Sequence, residues 1–252
     1  MTTLVITRPA QSNSRILAEL IRGGYEVVNL PFLETTPIAL DDHSKQILQK
    51  FSEGTYSWLA FTSANGVTYF SGALKELGVQ SSIPKGIKIA TVGPKTGERV
   101  QSTFGVRTSL SPSIHTSEAL SELFGHENIS SANILLAVAK EGRDVLASAL
   151  KSYGAKVTKL VVYETKSVRL NDESRSSILK TPHEDIIFVC FSPSAVKAVF
   201  EEFHADRELL ATVKFASIGP VTSQAVKERK GNLLLEARDH SEEGLFAALL
   251  RV

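Results

Sequence analysis

An internal repeat of about 130 residues constrains the fold of this chain more than any other feature of its sequence. When the chain is shifted by that length, or by slightly less, segments of its first half align with segments of similar character in its second half. The aligned pairs are 4–6 with 134–136, Gly24 with Gly154, Val27 with Val157, Leu30 with Leu160, 34–35 with 164–165, 63–67 with 192–196, 90–96 with 216–222, and 115–116 with 240–241. The 252 residues therefore form a duplication, and this length suits two domains of about 125 residues.

Short β-branched runs alternate with amphipathic helical patterns along the whole chain. We predict ten strands, which begin near Leu4, Tyr25, Ser57, Lys88, Val106, Ile134, Lys156, Asp185, Lys214 and Asn232. A typical helix between them starts at the N-cap Ser14, carries a stripe from Ile16 to Ile21 and stops at Gly23. This alternation predicts an α/β protein with two parallel sheets of five strands each.

Two segments interrupt the alternation, 32–40 and 162–170. Each follows a strand of the same repeat element and contains a Glu-Thr pair, and Pro37 interrupts the first one. We therefore expect both segments to be extended linkers between two lobes.

The composition excludes several classes of protein. The formal net charge of +1 provides no field for nucleic acid or for a membrane surface. The sequence begins with no signal-peptide pattern and has no apolar run near the roughly 20 residues that span a bilayer, so we expect a cytoplasmic protein. Cys190 lies inside an apolar run, and we expect a buried core residue there in preference to a reactive thiol.

Four predicted strand-to-helix corners are rich in hydroxyls and glycine: 62–65, 92–96, 192–194 and 218–222. A single corner of this kind is most simply a set of helix N-caps. Four corners matched in pairs across a duplication favour a shared anion-binding cleft, because helix starts offer unpaired N–H groups and the positive end of the helix dipole. We expect the hydroxyls of Ser63 and Thr96 to face that cleft and not the core.

Other functional patterns are weak or missing. The six histidines show no metal-ligand spacing, and no glycine-rich nucleotide loop or hydrolase elbow occurs. The pair Asp41-Asp42 is better interpreted as a helix N-terminal cap than as a catalytic pair of acids. Tyr163 aligns with Leu33, so the duplication alone does not account for it. Its phenol could donate a proton in the cleft, or it could be a half-buried linker residue.

Six segments together resemble the uroporphyrinogen-III synthase family, in order and over nearly the whole chain. They are Val5-Ile6-Thr7-Arg8-Pro9, Phe61-Thr62-Ser63-Ala64-Asn65-Gly66-Val67, Val92-Gly93-Pro94-Lys95-Thr96, Val162-Tyr163-Glu164-Thr165, Phe191-Ser192-Pro193-Ser194-Ala195-Val196 and Ile218-Gly219-Pro220-Val221-Thr222. The resemblance implies two flavodoxin-like, doubly wound parallel-sheet lobes joined by a two-stranded linker ladder. It implies a first lobe of 1–34 with 170–252, a second lobe of 41–162, and linker strands at 35–40 and 163–169.

Members of this family convert hydroxymethylbilane to uroporphyrinogen III, on the way to haem, sirohaem or cobalamin, without a cofactor or a metal. Water leaves from ring A, and the azafulvene that forms is attacked at the substituted carbon of ring D. The spiro intermediate fragments and recloses with ring D inverted, whereas spontaneous closure gives the uninverted isomer. Such a reaction needs a positioned polycarboxylate substrate and a general acid for the leaving hydroxide.

By motif, the resemblance implies Tyr163 as the catalytic acid. Substrate-binding positions are implied at Arg8, Thr62, Ser63, Ala64, Asn65, Gly93, Thr96, Ser192, Pro193, Ser194, Gly219 and Thr222. Where relatives often have an Arg-Gly pair, this chain has Ala139-Lys140 and then Gly142-Arg143, so that Lys140 or Arg143 is expected to serve instead. A monomer is expected, with a linear tetrapyrrole substrate and transient contact with hydroxymethylbilane synthase.

Two other classes of protein compete with this interpretation. A bilobal protein that closes on a small anion without chemistry would share two α/β lobes and a hinge, but would give Tyr163 no special role. A tandem signalling receiver would need a phospho-acceptor aspartate at a strand end, where this chain has Ser, Thr and Gly.

Overall fold

The computed structural model describes residues 1–8 and 14–252, with no side-chain description for 14–16. Pro9 of the first motif and the side-chain cap predicted at Ser14 therefore lie outside the described residues. The chain divides into two compact units: the first unit is 1–34 with 166–252, and the second unit is 35–165.

Strands and helices alternate along the chain. The described strands are β1 (Thr3–Ile6), β2 (Glu26–Asn29), β3 (Leu33–Pro37), β4 (Trp58–Phe61), β5 (Lys88–Thr91), β6 (Asn133–Ala139), β7 (Lys156–Ser167), β8 (Ile186–Cys190), β9 (Lys214–Ser217) and β10 (Asn232–Glu236). The described helices are α1 (Ser14–Arg22), α2 (Asp42–Ser52), α3 (Ala64–Glu76), α4 (Pro94–Phe104), α5 (Ser117–Gly125), α6 (Val145–Ser152), α7 (Asp172–Lys180), α8 (Pro193–Glu202), α9 (Arg207–Thr212), α10 (Pro220–Glu228) and α11 (Glu242–Leu249), with a 3-10 turn at His183–Asp185.

The sheet of the first unit has the strand order β10-β9-β8-β1-β2, and all its neighbouring strands are parallel. This order is that of a flavodoxin-like, doubly wound sheet. Successive residues of β1 and β8 enter different cores: Val5 and Phe188 pack in one cluster, and Leu4 and Ile187 in another. Because both faces are covered, these strands consist of apolar residues almost throughout, as the sequence predicted.

The sheet of the second unit has the order β3-β7-β6-β4-β5, in which β7, β6, β4 and β5 are parallel. At its edge, the N–H of Ile38 donates to the carbonyl of Val162 (3.2 Å), and the N–H of Val168 donates to the carbonyl of Phe32 (2.9 Å). Since the two bonds pair residues in opposite order along the chain, β3 runs antiparallel to β7.

The strand register is equivalent in the two units and follows the repeat seen in the sequence. Leu4 pairs with Ile187 in the first unit, and Ile134 pairs with Trp58 in the second. The adjoining pairs, Thr3 with Glu26 and Asn133 with Lys156, also agree with the shift of the repeat. The prediction of two five-stranded parallel sheets is confirmed, except that β3 is antiparallel to its neighbour β7.

One predicted strand is wrong. The segment after Val106 forms no strand and makes only an isolated bridge, in which Leu110 pairs with Ala90 at the edge of the sheet. Ser109 and Leu110 both donate their N–H groups to the carbonyl of Ile89, and Pro112 has no N–H with which to continue a ladder. The tenth strand is instead β3, which the sequence indicated only as part of an extended linker.

The acidic pair at 41–42 is a helix cap, as predicted. Asp41 accepts the backbone N–H of Ser44 at 2.7 Å and begins α2. Hydrogen bonding to Ser44 lowers the pKa of the Asp41 carboxyl. This pair is therefore assigned to helix formation.

The two units differ in the hydrogen bonding of one buried hydroxyl. Removal of this hydroxyl should therefore have opposite effects on stability in the two units. In the first unit, Ser217 bonds to Ser223 (2.6 Å), and both side chains are buried. The equivalent Thr91 is fully buried, and its hydroxyl has no hydrogen-bond partner among the described residues, because Gly97 stands where the first unit has Ser223.

We expect Thr91→Val to raise the free energy of unfolding by up to about 1 kcal/mol, because it removes a buried hydroxyl without a partner. Ser217→Ala should lower it by about 1–2 kcal/mol, because it leaves Ser223 unpaired. Urea unfolding followed by circular dichroism measures both changes. A loss of more than about 1 kcal/mol in Thr91→Val would contradict the assignment.

Candidate functional site

The predicted corners lie at the carboxyl ends of the strands in both units. Ser63 caps α3 by accepting the N–H of Gly66 (3.0 Å), and Ser192 caps α8 by accepting the N–H of Ala195 (3.1 Å). Both serines therefore perform the structural role of an N-cap. Each keeps its own hydroxyl hydrogen, which is available for a second partner.

The residues around these caps differ in exposure. Thr62 and Ala64 are partly exposed, whereas Asn65, Pro193 and Ser194 are exposed on the first turns of their helices. The polar side chains Asn65 and Ser194 are therefore accessible to a ligand at the edge of their own units.

Gly93 and Gly219 occupy the N-cap positions of α4 and α10, and both are buried. Their backbones are extended, which any residue can adopt, so backbone conformation does not call for glycine here, whereas the close approach of a histidine favours it. A Cβ on Gly93 would lie 3.3 Å from the Cβ of His115, and a Cβ on Gly219 would lie 3.1 Å from the ring of His240. The same histidine–glycine contact thus occurs in both units. The repeat contained this signal, but sequence reasoning assigned no role to either histidine.

Thr96 and Thr222 lie in the first turns of α4 and α10 and are only 6% and 3% exposed. Both residues are therefore largely buried, whereas the direction of the Thr96 hydroxyl stays a prediction. Residue 96 stands three positions after the cap, on the side of the helix that packs inward. Substrate contact by Thr96 or Thr222 stays a prediction.

Tyr163 is turned towards α3 by a β-bulge. Val138 pairs with Val161, but the next residue, Ala139, pairs with Tyr163, which leaves Val162 as an extra residue on β7. As a consequence Val162 and Tyr163 enter the same core cluster, although consecutive strand residues normally point to opposite faces. Regular alternation of side chains would have placed Tyr163 on the same face of the sheet as Val161, with different neighbours.

The Tyr163 side chain is 7% exposed, and its hydroxyl lies 3.0 Å from the Oγ of Ser63. The ring of Tyr69, from α3, stacks on the ring of Tyr163 with a centroid distance of 5.2 Å and an angle of 18°. Two residues 100 positions apart, each expected in the site, are thus hydrogen-bonded within the second unit. Sequence reasoning did not identify Tyr69, since its spacing only indicates a helix side chain.

Arg8 follows β1 and is held by two groups of the first unit. Its guanidinium forms an ion pair with Glu242 on the first turn of α11 and lies 4.0 Å from the ring centroid of Phe191. The Glu242 side chain is only 10% exposed. A ligand carboxylate would therefore have to share Arg8 with Glu242 or displace that carboxylate.

Lys140 and Arg143 follow β6 and are exposed. Lys140 donates to Glu164 (2.9 Å), and this bond raises the pKa of the lysine. Arg143 donates to Glu118 (3.0 Å). The backbone N–H of Lys140 donates to the carbonyl of Tyr163, so Lys140 is the nearer cation along the strands to that tyrosine.

The described residues form neither a metal-ligand cluster nor an accessible thiol. Within residues 1–8 and 14–252, no three His, Cys, Asp or Glu side chains are grouped to hold a metal ion. Cys190 is fully buried in the core of the first unit, as predicted. No helix in the described part of the chain is long and apolar enough to cross a bilayer.

Comparison with known proteins gives consistent matches. A family model described as uroporphyrinogen-III synthase HemD matches residues 14–247. The "Uroporphyrinogen-III synthase" of Synechococcus elongatus is 28% identical, over 98% of this chain and 94% of that protein. The "Porphyrin biosynthesis protein HemD" of Ruminiclostridium josui is 24% identical over 90% of this chain, which spans 44% of that protein's length. The crystal structure of uroporphyrinogen-III synthetase from Helicobacter pylori 26695 is similar in fold, with a TM-score of 0.65, 21% identity, and coverage of 100% of this chain and 99% of that one.

Burial predicts that the Cys190 thiol is inert in the folded protein. Burial raises the pKa of this thiol to about 12, so almost none of it is thiolate at pH 8. We expect a disulfide reagent to label the native protein at least about 100-fold more slowly than the urea-unfolded protein. The absorbance of the released thiolate measures this rate, and equal rates in both states would contradict the burial of Cys190.

Proposed function

Because the chain belongs to the uroporphyrinogen-III synthase family, we propose that it cyclises hydroxymethylbilane to uroporphyrinogen III with Tyr163 as the general acid. The family and the named relatives make the chain a lyase of tetrapyrrole biosynthesis. The observation that carries the role of Tyr163 is its hydroxyl contact of 3.0 Å with Ser63 at the start of α3.

In the first step, the C–O bond of the hydroxymethyl group breaks and its electron pair stays with the oxygen. Tyr163 gives that oxygen its phenolic proton, water leaves, and the lone pair of the pyrrole nitrogen stabilises the cation that remains, which is the azafulvene in its N-protonated form. This proton is needed because hydroxide is a poor leaving group, and a positioned acid contributes about 10²–10⁴-fold. The step leaves Tyr163 as a phenolate.

Ser63 and α3 are suited to stabilise that phenolate. The Ser63 oxygen already accepts the N–H of Gly66, so its own hydrogen can be donated to the oxygen of Tyr163. The start of α3 also carries the positive end of the helix dipole, worth about 0.3–1 kcal/mol for a nearby anion. When ring closure releases a proton from the macrocycle, the phenolate is the base that accepts it, which restores the enzyme.

The carboxylates of the substrate are proposed to bind at the strand-to-helix corners. The starts of α3, α4, α8 and α10 supply N–H donors, with Ser192, Asn65 and Ser194 beside them. Lys140 is the favoured cation near the reacting ring because its backbone is bonded to that of Tyr163. Arg8 contributes where a substrate carboxylate shares its guanidinium with Glu242.

The organisation of the enzyme in the cell is also a proposal. We propose a cytoplasmic monomer that makes transient contact with hydroxymethylbilane synthase. We also propose the lobes 1–34 with 170–252 and 41–162, joined by linker strands at 35–40 and 163–169. The two compact units meet at residues 34–35, within β3, and at residues 165–166, within β7. These boundaries support the proposed limits of the lobes.

Tyr163→Phe tests the proposed acid. The ring and its stacking remain, so only the hydroxyl is removed. We expect the turnover of freshly made hydroxymethylbilane to fall at least about tenfold, because azafulvene precursors also ionise on their own and need only modest help. The free energy of unfolding should fall by about 1 kcal/mol, the value of one lost hydrogen bond.

A matched control is Tyr153→Phe, which removes the hydroxyl of a 40% exposed tyrosine of the second unit. Its turnover should equal that of the wild type. Chromatography of the oxidised porphyrin isomers measures both variants. Full activity in Tyr163→Phe would exclude Tyr163 as the acid, and no isomer III from the wild type would exclude the activity itself.

A further inference from the structure

We propose that Tyr69 is a positioning residue for Tyr163: it holds the plane of the Tyr163 ring, and Thr35 in turn anchors Tyr69. This inference rests on the proposed role of Tyr163 as the general acid. All three residues belong to the second unit.

The rings of Tyr69 and Tyr163 form a stacked pair. Tyr69 projects from α3, and its ring lies nearly parallel to that of Tyr163, at 18° and 5.2 Å between centroids. Offset stacking of this kind favours one relative orientation. Tyr163 itself belongs to the buried cluster that contains Val67 and Phe70, and Tyr69 packs against that cluster. The Tyr163 ring is therefore held both by this core and by its aromatic neighbour.

The hydroxyl of Tyr69 is fully committed to Thr35 on β3. It donates its one hydrogen to the carbonyl oxygen of Thr35, and it lies 2.9 Å from the Thr35 Oγ1. Because that hydrogen is used, the Thr35 hydroxyl must be the donor in the second contact. Tyr69 thus has no proton left for the substrate, whereas Tyr163 keeps its proton when Ser63 is the donor. The two stacked tyrosines therefore have different roles.

Both groups that orient Tyr163 come from one helix. Ser63 is the N-cap of α3 and bonds to the hydroxyl, and Tyr69 lies further along α3 and stacks on the ring. A rigid helix therefore sets the direction of the phenolic O–H as well as the tilt of the ring. Since a misplacement of about 1 Å can cost about 100-fold in rate, the loss of the stacking ring should impair proton delivery.

The main test is Tyr69→Leu, which removes the ring but keeps an apolar side chain. We expect kcat to fall at least about tenfold while KM changes less than about threefold, because proton delivery is impaired and substrate carboxylates are bound elsewhere. In a Tyr163→Phe background, Tyr69→Leu should change kcat by less than about twofold, because no proton remains to be positioned.

The matched control is Phe104→Leu. Phe104 is a partly buried aromatic of the same core cluster and stacks on Phe61, not on Tyr163. The Phe104→Leu variant should have a melting temperature similar to that of Tyr69→Leu, yet it should keep the wild-type kcat. A merely structural Tyr69 would give the same kinetics as this control.

A second pair of variants keeps the stacked ring in case Tyr69→Leu fails to fold. Tyr69→Phe removes both anchoring contacts with Thr35 and should lower kcat about two- to fivefold. Thr35→Val removes only the Oγ1 contact and keeps the carbonyl acceptor, so this anchor variant should lower kcat by less than Tyr69→Phe, and the double variant should be no slower than Tyr69→Phe. If Tyr163→Phe is impaired, a wild-type kcat in Tyr69→Leu overturns the inference. A wild-type kcat in both anchor variants overturns it as well. Full activity in Tyr163→Phe, by contrast, overturns the proposed acid itself.

Discussion

Parallel strand pairing is the constraint on which the rest of this structure depends. A parallel strand must be followed by a crossover, and here the crossovers contain helices, so the parallel strands of each sheet end at one edge, where the next helix starts. Within each unit, this edge carries one serine cap and one glycine before a helix: Ser63 and Gly93 in the second unit, and Ser192 and Gly219 in the first. The anion-binding groups of the proposed enzyme therefore follow from strand direction, and no large basic patch is required.

The duplication supplied two similar units, and the proposed chemistry depends on their differences. Leu33 stands where the other copy has Tyr163, so only one copy carries the phenol. Arg8 lies over Phe191 and pairs with Glu242 in the first unit, whereas the equivalent of Phe191 in the second unit is Thr62. The strand-to-helix corners are thus shared by both copies, but Arg8, the proposed acid and its stacking partner are not. A duplicated scaffold can keep its strand register while one copy acquires a reactive group.

Much of the fold and part of the site could be predicted from the sequence, because the relevant signals are local. The hydroxyl at Ser63 predicts a helix start, and the structure places an N-cap there. Tyr69 could not be found in this way, since its spacing after Ser63 indicates only a helical side chain. The burial of Thr96 was also missed, because the face that a first-turn residue presents depends on the sheet beneath the helix. The false strand near Val106 shows the same limit: its β-branched residues favour a strand, but Pro112 and the shared carbonyl of Ile89 reduce it to a bridge.

The sequence by itself determined the duplication, the two five-stranded, mostly parallel sheets and the positions of the helix caps. These properties depend on side-chain periodicity and on groups within a few residues of each other, which the chain carries wherever it folds. Only the tertiary structure decided that Val162 is a bulge, that Tyr163 consequently faces α3, and that its hydroxyl meets Ser63. It also decided that Arg8 is neutralised by Glu242 and Lys140 by Glu164. The physical reason is that each of these contacts joins residues from different strands or helices, so its geometry exists only once the sheets have formed.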